Sequence, residues 1–315
     1  MPTLTDVAKL ANVSKMTVSR VINHPEQVTE ELRELVFKAM KELDYRPNNV
    51  AKALAQNRTL IVKVMVLEEL DTTEPYYMNL LIGIASGLDK KHYALQLVTQ
   101  TSVNQTECDG FIIMGMREGD YSFIKELKKP VVLFGENTYG FTYVDSDNFG
   151  GTAKATTYAI DRGYQKIVFV GIDVEAPFEQ SRENGYIETM QQAGMETEIL
   201  RFENYSTQTK DYFHTHINRY PQNTCFICSS DRLALGVERG IFQGGYSVPY
   251  DYGVIGFDGV LLDQVAEPKL TTVKQEVRQM GEHCADLIIN KIQHPDQVIK
   301  SIELDTQLII RESTK

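Results

Sequence analysis

From Leu60 onward the chain repeats one pattern, a short apolar run followed by a segment with apolar residues at helical spacing. The runs Ile61–Leu67, Ala94–Val98, Gly110–Met114, Val131–Phe134, Ile167–Gly171, Glu198–Phe202, Cys225–Cys228 and Gly253–Phe257 read as buried strands. Helical patterns lie between many of them: Tyr77–Lys90, Thr152–Arg162, Gln180–Ala193, Lys210–Tyr220 and Asp231–Gln243. Alternation of this kind leaves little choice of fold. Parallel neighbours need a crossover long enough for a helix, and strands apolar on both sides need cover on both faces. The expectation is an α/β region of parallel, doubly wound sheets. Two clusters of such units imply two similar subdomains facing a cleft, and small ligands bind beside the carboxyl ends of parallel strands.

A different pattern precedes it. Thr3-Leu-Thr-Asp6 opens a helix over Leu4–Leu10, and Ala11-Asn12-Val13 makes a short turn. Ser14 caps a second helix, Lys15–Ile22, which His24-Pro25 ends. Thr29 caps a third, Glu30–Leu43, whose Leu32, Leu35, Val36, Ala39, Met40 and Leu43 form one apolar stripe. Two short helices joined by a tight turn and braced by a third is the helix-turn-helix plan, which puts the second helix in the DNA major groove. There Lys15, Met16 and Arg20 face base edges: a cation donates to guanine, and a thioether touches a thymine methyl. Thr3, Ser14, Thr17, Ser19 and Asn23 are short polar groups suited to phosphate oxygens. A small helical bundle with ordinary surface charge is the plainer alternative.

Net charge seems to argue against DNA, because the 315 residues carry −11. The balance is local, however. Residues 1–58 hold nine basic and seven acidic side chains, so the remaining 257 carry −13. The acidity belongs to the α/β region.

Other classes are excluded by what is missing. There is no apolar run long enough for a transmembrane helix, and the start lacks the basic and apolar segments of a secretory signal. Four cysteines are too few for a disulfide scaffold, and Cys225-Phe-Ile-Cys228 sits in a strand-like run with no second pair to complete a metal site. Reducing cytoplasm is the expected compartment. No nucleophile elbow, P-loop, glycine-rich dinucleotide fingerprint or His-x-x-x-His pair occurs, so no catalytic residue, metal or cofactor is expected.

Thr3-Leu-Thr-Asp-Val-Ala8, Asn12-Val-Ser14 and Thr17-Val-Ser-Arg20-Val-Ile-Asn23 together resemble the signature of the LacI/GalR family of bacterial transcriptional regulators. Tyr45-Arg-Pro47-Asn48-Asn-Val50-Ala51-Lys-Ala53-Leu54-Ala55 is similar to that family's hinge. Asn48 can cap a helix here, but one too short to be stable alone in water. The resemblance implies that two such helices pair across a homodimer in the minor groove. Leu54 would then wedge into the central step, with Val50, Ala51 and Ala53 at the helix–helix contact.

The resemblance continues through Glu74-Pro-Tyr-Tyr77, Arg182-Glu-Asn-Gly-Tyr186, Ser230-Asp-Arg-Leu-Ala-Leu-Gly236, Gly256-Phe-Asp258, Leu270–Gln275 and Arg311–Thr314. It implies a periplasmic-binding-protein-like core of two subdomains joined by three crossovers. The implied organisation is a helix-turn-helix domain at 1–46, a hinge helix and linker at 47–59, and an effector-binding and dimerisation core at 60–315. Within the core, subdomain one takes 60–146 plus 275–301, and subdomain two takes 147–274 plus 302–315.

Carried over residue by residue, the effector candidates are Tyr76, Tyr77, Arg182, Tyr205, Ser230 and Asp258, with Glu136 added where Phe134-Gly-Glu-Asn137 departs from the family's usual strand ending. Arg182 would offer a bidentate fork, Asp258 would accept from vicinal hydroxyls, and the tyrosines would stack on a pyranose or nucleobase. Ser230 stands where many relatives have Asn. Thr101–Asp109 is too short for the helix usual there, and Val66–Thr73 makes an acidic lip. The expected partners are a pseudo-palindromic double-stranded operator, a small effector, in the first instance a sugar, and a second copy of the chain; no membrane is expected. Because the chain stops at Lys315, just past the family's last strand, a dimer rather than a tetramer is expected. The alternatives are a catabolite-control regulator docking a phosphorylated carrier protein on the helix Arg278–Ile292, and a repressor activated by a nucleobase corepressor.

Overall fold

The computed structural model describes residues 2–45, 58–67, 75–103 and 106–315, with Asn23 described in its backbone alone. Two compact units divide between Thr59 and Leu60.

The first unit is a three-helix cluster: α1 (Leu4–Leu10), α2 (Lys15–Asn23) and α3 (Glu30–Glu42). Val7, Ala8, Ala11, Val18, Val21, Val36 and Ala39 are its buried core. Thr3 and Asp6 form a reciprocal capping box on α1, and the Ser14 hydroxyl accepts from Thr17 N at 3.0 Å on α2. Asn12 takes φ +49° in the turn between them, a conformation asparagine tolerates better than most residues. The expected cap at Thr29 is corrected: Thr29 occupies the N-cap position with extended backbone, but its hydroxyl makes no capping bond. The hinge positions Asn48, Val50, Ala51, Ala53 and Leu54 lie outside the described residues, as do 68–73 of the acidic lip.

The second unit runs β1 (Ile61–Val66), α4 (Pro75–Asp89), β2 (Ala94–Val98), β3 (Gly110–Met114), α5 (Tyr121–Glu126), β4 (Val131–Phe134), β5 (Tyr143–Ser146), α6 (Asn148–Asp161), β6 (Lys166–Ile172), α7 (Pro177–Gln192), β7 (Ile199–Phe202), α8 (Ser206–His216), β8 (Thr224–Cys228), α9 (Asp231–Gln243), β9 (Tyr252–Asp258), α10 (Leu262–Val265), β10 (Thr271–Lys274), α11 (Val277–Gln293), β11 (Ile302–Leu304) and β12 (Gln307–Ile309). These strands make two six-stranded sheets, ordered β11-β5-β4-β3-β1-β2 and β12-β10-β9-β8-β6-β7. All pairings are parallel except β10 with β12. Each sheet is buried on both faces. The apolar runs located eight strands to within about a residue. The four they did not locate are short and mixed with polar residues, as in Thr271-Thr-Val-Lys274 and Ile302-Glu-Leu304.

The chain crosses between lobes after β5, after β10 and after β11. The third crossing corrects the expected boundary at 301. β11 pairs with β5 in the first sheet, Ile302 against Val144, so the chain leaves the first lobe only after Leu304. In that lobe α4 and α11 cross at Gly83 and Gly281. A Cβ on Gly83 would fall 2.1 Å from the Arg278 carbonyl oxygen, and one on Gly281 would fall 2.4 Å from that of Leu80. Only glycine allows this approach.

Two buried charges need comment. Lys63 interrupts the apolar run of β1 and is fully buried. Its Nζ donates to the carbonyls of Val103 and Thr106, each at 2.5 Å, which ties down the non-helical stretch between β2 and β3. Glu238 on α9 is buried, with Oε2 unpartnered among the described residues. Burial pushes its pKa up to about 8, with Arg239 opposing and Glu267 reinforcing the shift. The folded protein therefore holds this proton from the usual value of 4.5 up to about 8, while the unfolded chain releases it. Stability from this site is present below pH 4.5 and is lost as pH rises toward 8. Glu238→Gln is accordingly expected to raise the thermal midpoint relative to wild type at pH 8.5 and to change it little at pH 4.5, as read by calorimetry at the two pH values.

Candidate effector cleft and nucleic-acid interface

On the helical head, Lys15, Met16 and Arg20 are exposed along α2, and Met16 is 73% exposed. An apolar side chain this open at the start of a recognition helix has no packing role within the head. Of the polar residues assigned to phosphates, Thr3 and Ser14 use their hydroxyls in caps. Thr3 Oγ1 donates to Asp6 Oδ2 at 2.8 Å, and Ser14 Oγ lies 2.8 Å from Thr17 Oγ1. Both remain exposed, while Thr17 and Ser19 are half-buried.

In the second unit a cleft of about 980 Å³ opens at the carboxyl ends of the strands, lined from both lobes. Arg182 stands at its floor, for a local reason. α7 starts immediately after β6 and turns Glu179, Arg182, Gly185, Tyr186 and Met190 inward. Gly185 brings the helix onto α6, since a Cβ there would lie 2.3 Å from the Phe149 carbonyl oxygen. Arg182 is thereby pressed against the first turn of α6. Its Nε donates to Asn148 Oδ1 at 2.8 Å and its Nη1 to the Ser229 carbonyl at 2.5 Å. The guanidinium lies 3.8 Å from the Phe257 ring centroid and 5.1 Å from that of Phe178. The bidentate fork expected from the sequence is therefore partly used: among the described residues, Nη2 alone makes no hydrogen bond.

Two buried carboxylates flank this cation. Asp145 accepts from Glu136 N at 2.8 Å and Ser146 N at 2.7 Å, and Glu179 accepts from Ile172 N at 2.9 Å and from the Ser229 hydroxyl. Burial raises the pKa of both, and these bonds with Arg182 oppose the rise.

Asp258 ends β9 at φ +126°, a strained conformation of the kind held where a ligand is gripped. Its Oδ1 accepts from Gln275 Nε2 at 2.8 Å. Gln275 Oε1 in turn accepts from Ser146 Oγ at 2.7 Å and from the Tyr76 hydroxyl at 3.3 Å. This buried amide joins the end of one sheet to the end of the other. Burial, and next the nearby Asp258, push the Tyr76 hydroxyl well above its usual pKa, so it stays a donor. A further contact spans the cleft, where Ser181 Oγ on α7 donates to Glu136 Oε2 at 2.9 Å.

Six of the seven effector candidates thus line one cleft: Tyr76, Tyr77, Glu136, Arg182, Ser230 and Asp258. Tyr205 does not. It is half exposed at the start of α8, with the Arg232 guanidinium 5.9 Å from its ring centroid. The neighbouring Asn204 lines the cleft instead, and its Oδ1 accepts from the Ser230 hydroxyl at 2.7 Å. Ser230 also caps α9, accepting from Leu233 N at 3.1 Å, so most of its bonding capacity is spent. Asp145, Asn148 and Gln275 escaped sequence reading. The polar run Asp145-Ser-Asp-Asn148 was the available signal for the first two.

The cysteines do no chemistry here. Cys225 and Cys228 are buried on opposite faces of β8, and burial drives both thiols above their usual pKa. Among the described residues no group of His, Cys, Asp and Glu is placed to hold a metal ion, and no helix is long and apolar enough to cross a membrane.

A helix-turn-helix head and a two-lobed, parallel-sheet core with an interlobe cleft define a ligand-controlled DNA-binding regulator. Residues 3–48 match the family described as bacterial regulatory proteins, lacI family, and residues 156–314 match the periplasmic binding protein-like domain. The chain is 49% identical over 315 residues to the HTH-type transcriptional regulator YvdE of Bacillus subtilis, covering 100% of both. It is 31% identical over 335 residues to the HTH-type transcriptional regulator CelR of Thermobifida fusca, covering 99% of this chain and 98% of that protein. The solved complex of the transcriptional regulator CelR with cellobiose superposes with a TM-score of 0.75 at 29% identity, covering 99% of this chain and 100% of that one. The lac repressor dimer bound to operator shares the fold, with a TM-score of 0.74 at 23% identity and 99% of each chain covered. The chain belongs to the LacI family of bacterial regulatory proteins and is a DNA-binding transcriptional regulator, as its relatives are.

Arg182→Ala would leave Asn148, the Ser229 carbonyl and two buried carboxylates without their cation. The expected cost is about 3 kcal/mol of core stability, the scale of breaking a buried pair, read as a lowered urea midpoint.

Proposed function

We propose that the chain is a homodimeric repressor of a carbohydrate-utilisation operon, released or engaged by a neutral sugar in the interlobe cleft. The observation that carries this reading is the chemistry of the cleft wall. Among the described residues, eight carboxylates and three guanidiniums line it, together with Tyr76, Tyr77, Phe134, Tyr139 and Phe178. Carboxylates accept from hydroxyls and aromatic faces cover the apolar side of a pyranose. The same excess of negative charge repels phosphate, which disfavours sugar phosphates and nucleotides. CelR, whose complex with cellobiose has this fold, supports a saccharide.

The phosphocarrier alternative is less well supported. The outer face of α11 carries Glu282, paired with Lys90 at 2.7 Å, and Glu276, paired with Lys274 at 2.7 Å, so its negative charges face any phosphorylated partner.

On this reading Lys15, Met16 and Arg20 contact bases in each half-site, and Thr3, Ser14, Thr17, Ser19 and Asn23 contact phosphates. The hinge residues Asn48, Val50, Ala51, Ala53 and Leu54 occupy the minor groove at the dyad. Tyr76, Tyr77, Glu136, Arg182, Ser230 and Asp258 hold the effector. Its binding closes the lobes, shifts the first lobes of the dimer against each other and alters the pairing of the two hinges. Linkage then requires operator and sugar to change each other's affinity by one factor, of order 5–150-fold.

Calorimetric titration of neutral sugars and sugar phosphates, with and without an operator selected from a random duplex library, tests the reading. Equal sugar affinity in both titrations, or tighter binding of the phosphates, would sink it. A second expectation concerns the head. Arg20→Ala should weaken operator binding about 10–100-fold, the scale of one lost base contact, and should weaken random-duplex binding far less, in anisotropy titrations at fixed salt.

A further inference from the structure

The cleft is larger than one sugar ring requires, and its outer end is built as well as its floor. Its volume of about 980 Å³ lies at the top of the roughly 300–1,000 Å³ range that holds drug-sized ligands. The floor groups Arg182, Asp258 and Tyr76 all lie at strand ends or first helical turns. Tyr139 lines the same cleft from the tip of the loop between β4 and β5.

Tyr139 is held there. Asn137 Oδ1 accepts from Tyr139 N at 3.1 Å and from Phe141 N at 3.2 Å, and Asn137 Nδ2 donates to the Phe141 carbonyl at 3.0 Å. The Tyr139 ring stacks on Tyr121 with centroids 5.0 Å apart and planes 27° from parallel. Tyr121 is itself braced edge-on by Phe141 at 6.0 Å. One face of Tyr139 is thus committed to packing, yet the residue stays 37% exposed on the cleft. Burial raises the Tyr139 pKa and the nearby Glu118 carboxylate raises it further, which keeps the hydroxyl protonated as a donor. The opposite lobe adds Glu183, fixed by two bonds from Arg201 Nη2 at 2.7 and 2.6 Å. A rigid aromatic plate with carboxylates around it is the chemistry that grips a pyranose.

Resting on the sugar reading above, we propose that the cleft holds two ring positions and that the effector is a neutral saccharide of at least two rings. The inner ring lies among Arg182, Asp258 and Tyr76, and the next ring lies on Tyr139. No sequence motif marked Tyr139, because its role depends on a loop that folds back onto α5.

The test is calorimetric titration of full-length protein with glucose, the α- and β-linked glucose disaccharides maltose and cellobiose, and their trisaccharides. At least one disaccharide should bind about tenfold or more tightly than glucose, the gain from one stacked aromatic contact with its hydrogen bonds. Tyr139→Ala should erase that gain, bringing disaccharide and monosaccharide within about twofold of each other. Tyr139→Phe, which keeps the ring, should retain it. A monosaccharide that binds as tightly as every disaccharide, or a disaccharide gain that survives Tyr139→Ala, overturns the second ring position and leaves the sugar reading standing. If no saccharide of the series binds the wild-type chain, both readings fall together.

Discussion

The core is organised around one buried cation. Arg182 is removed from water between two aromatic rings and in a lobe interface where desolvation is costly, so its charge must be compensated within the fold. Asn148, the Ser229 carbonyl, Asp145 and Glu179 supply that compensation, and each sits at the end of a different strand or the start of a different helix. The arrangement requires Gly185, which lets α7 approach α6 closely enough to bring the guanidinium to Asn148. It also spends most of the donors of Arg182 on the protein. What remains for a ligand is a pre-aimed Nη2 on a rigid mount, which suits recognition by orientation more than by raw charge.

Charge separates the two jobs of the chain. The first 58 residues carry a small positive balance and the remainder carries −13. An acidic core turns away both nucleic acid and anionic metabolites, so contact with DNA is confined to the head and hinge while the cleft selects for uncharged hydroxyl-bearing molecules. The same property therefore acts at both sites. Gln275 is where the lobes meet chemically, since one buried amide bonds Ser146 and Tyr76 on the first lobe and Asp258 on the second. A ligand that engages Tyr76 or Asp258 must perturb that node. Movement at the cleft thereby reaches the crossing strands, and through them the first lobe.

Legibility followed the strength of local signals. α1 was read to the residue, because a capping box and an apolar face mark it without help from tertiary contacts. β5, β10, β11 and β12 were not read, because short strands containing Asp, Thr, Lys or Gln show no apolar period. Resemblance located Arg182 and Asp258 but assigned Arg182 a fork that its own neighbours occupy. It also selected Tyr205, whose ring turns toward Arg232, where Asn204 beside it reaches the cleft.

By itself, the sequence determined the class of molecule: a helix-turn-helix head, an α/β core of parallel sheets, and the family to which both belong. Those properties live in periodicity, caps and motifs, which act over a few residues. Only the tertiary structure decided which polar groups share the cleft and how much bonding capacity each retains, and it moved the third crossing to the far side of β11. Those properties depend on contacts between residues more than a hundred positions apart, such as Ser146 with Gln275 and Ile302 with Val144. No local pattern encodes them, because burial and hydrogen-bond saturation are set by whichever distant segments the fold brings together.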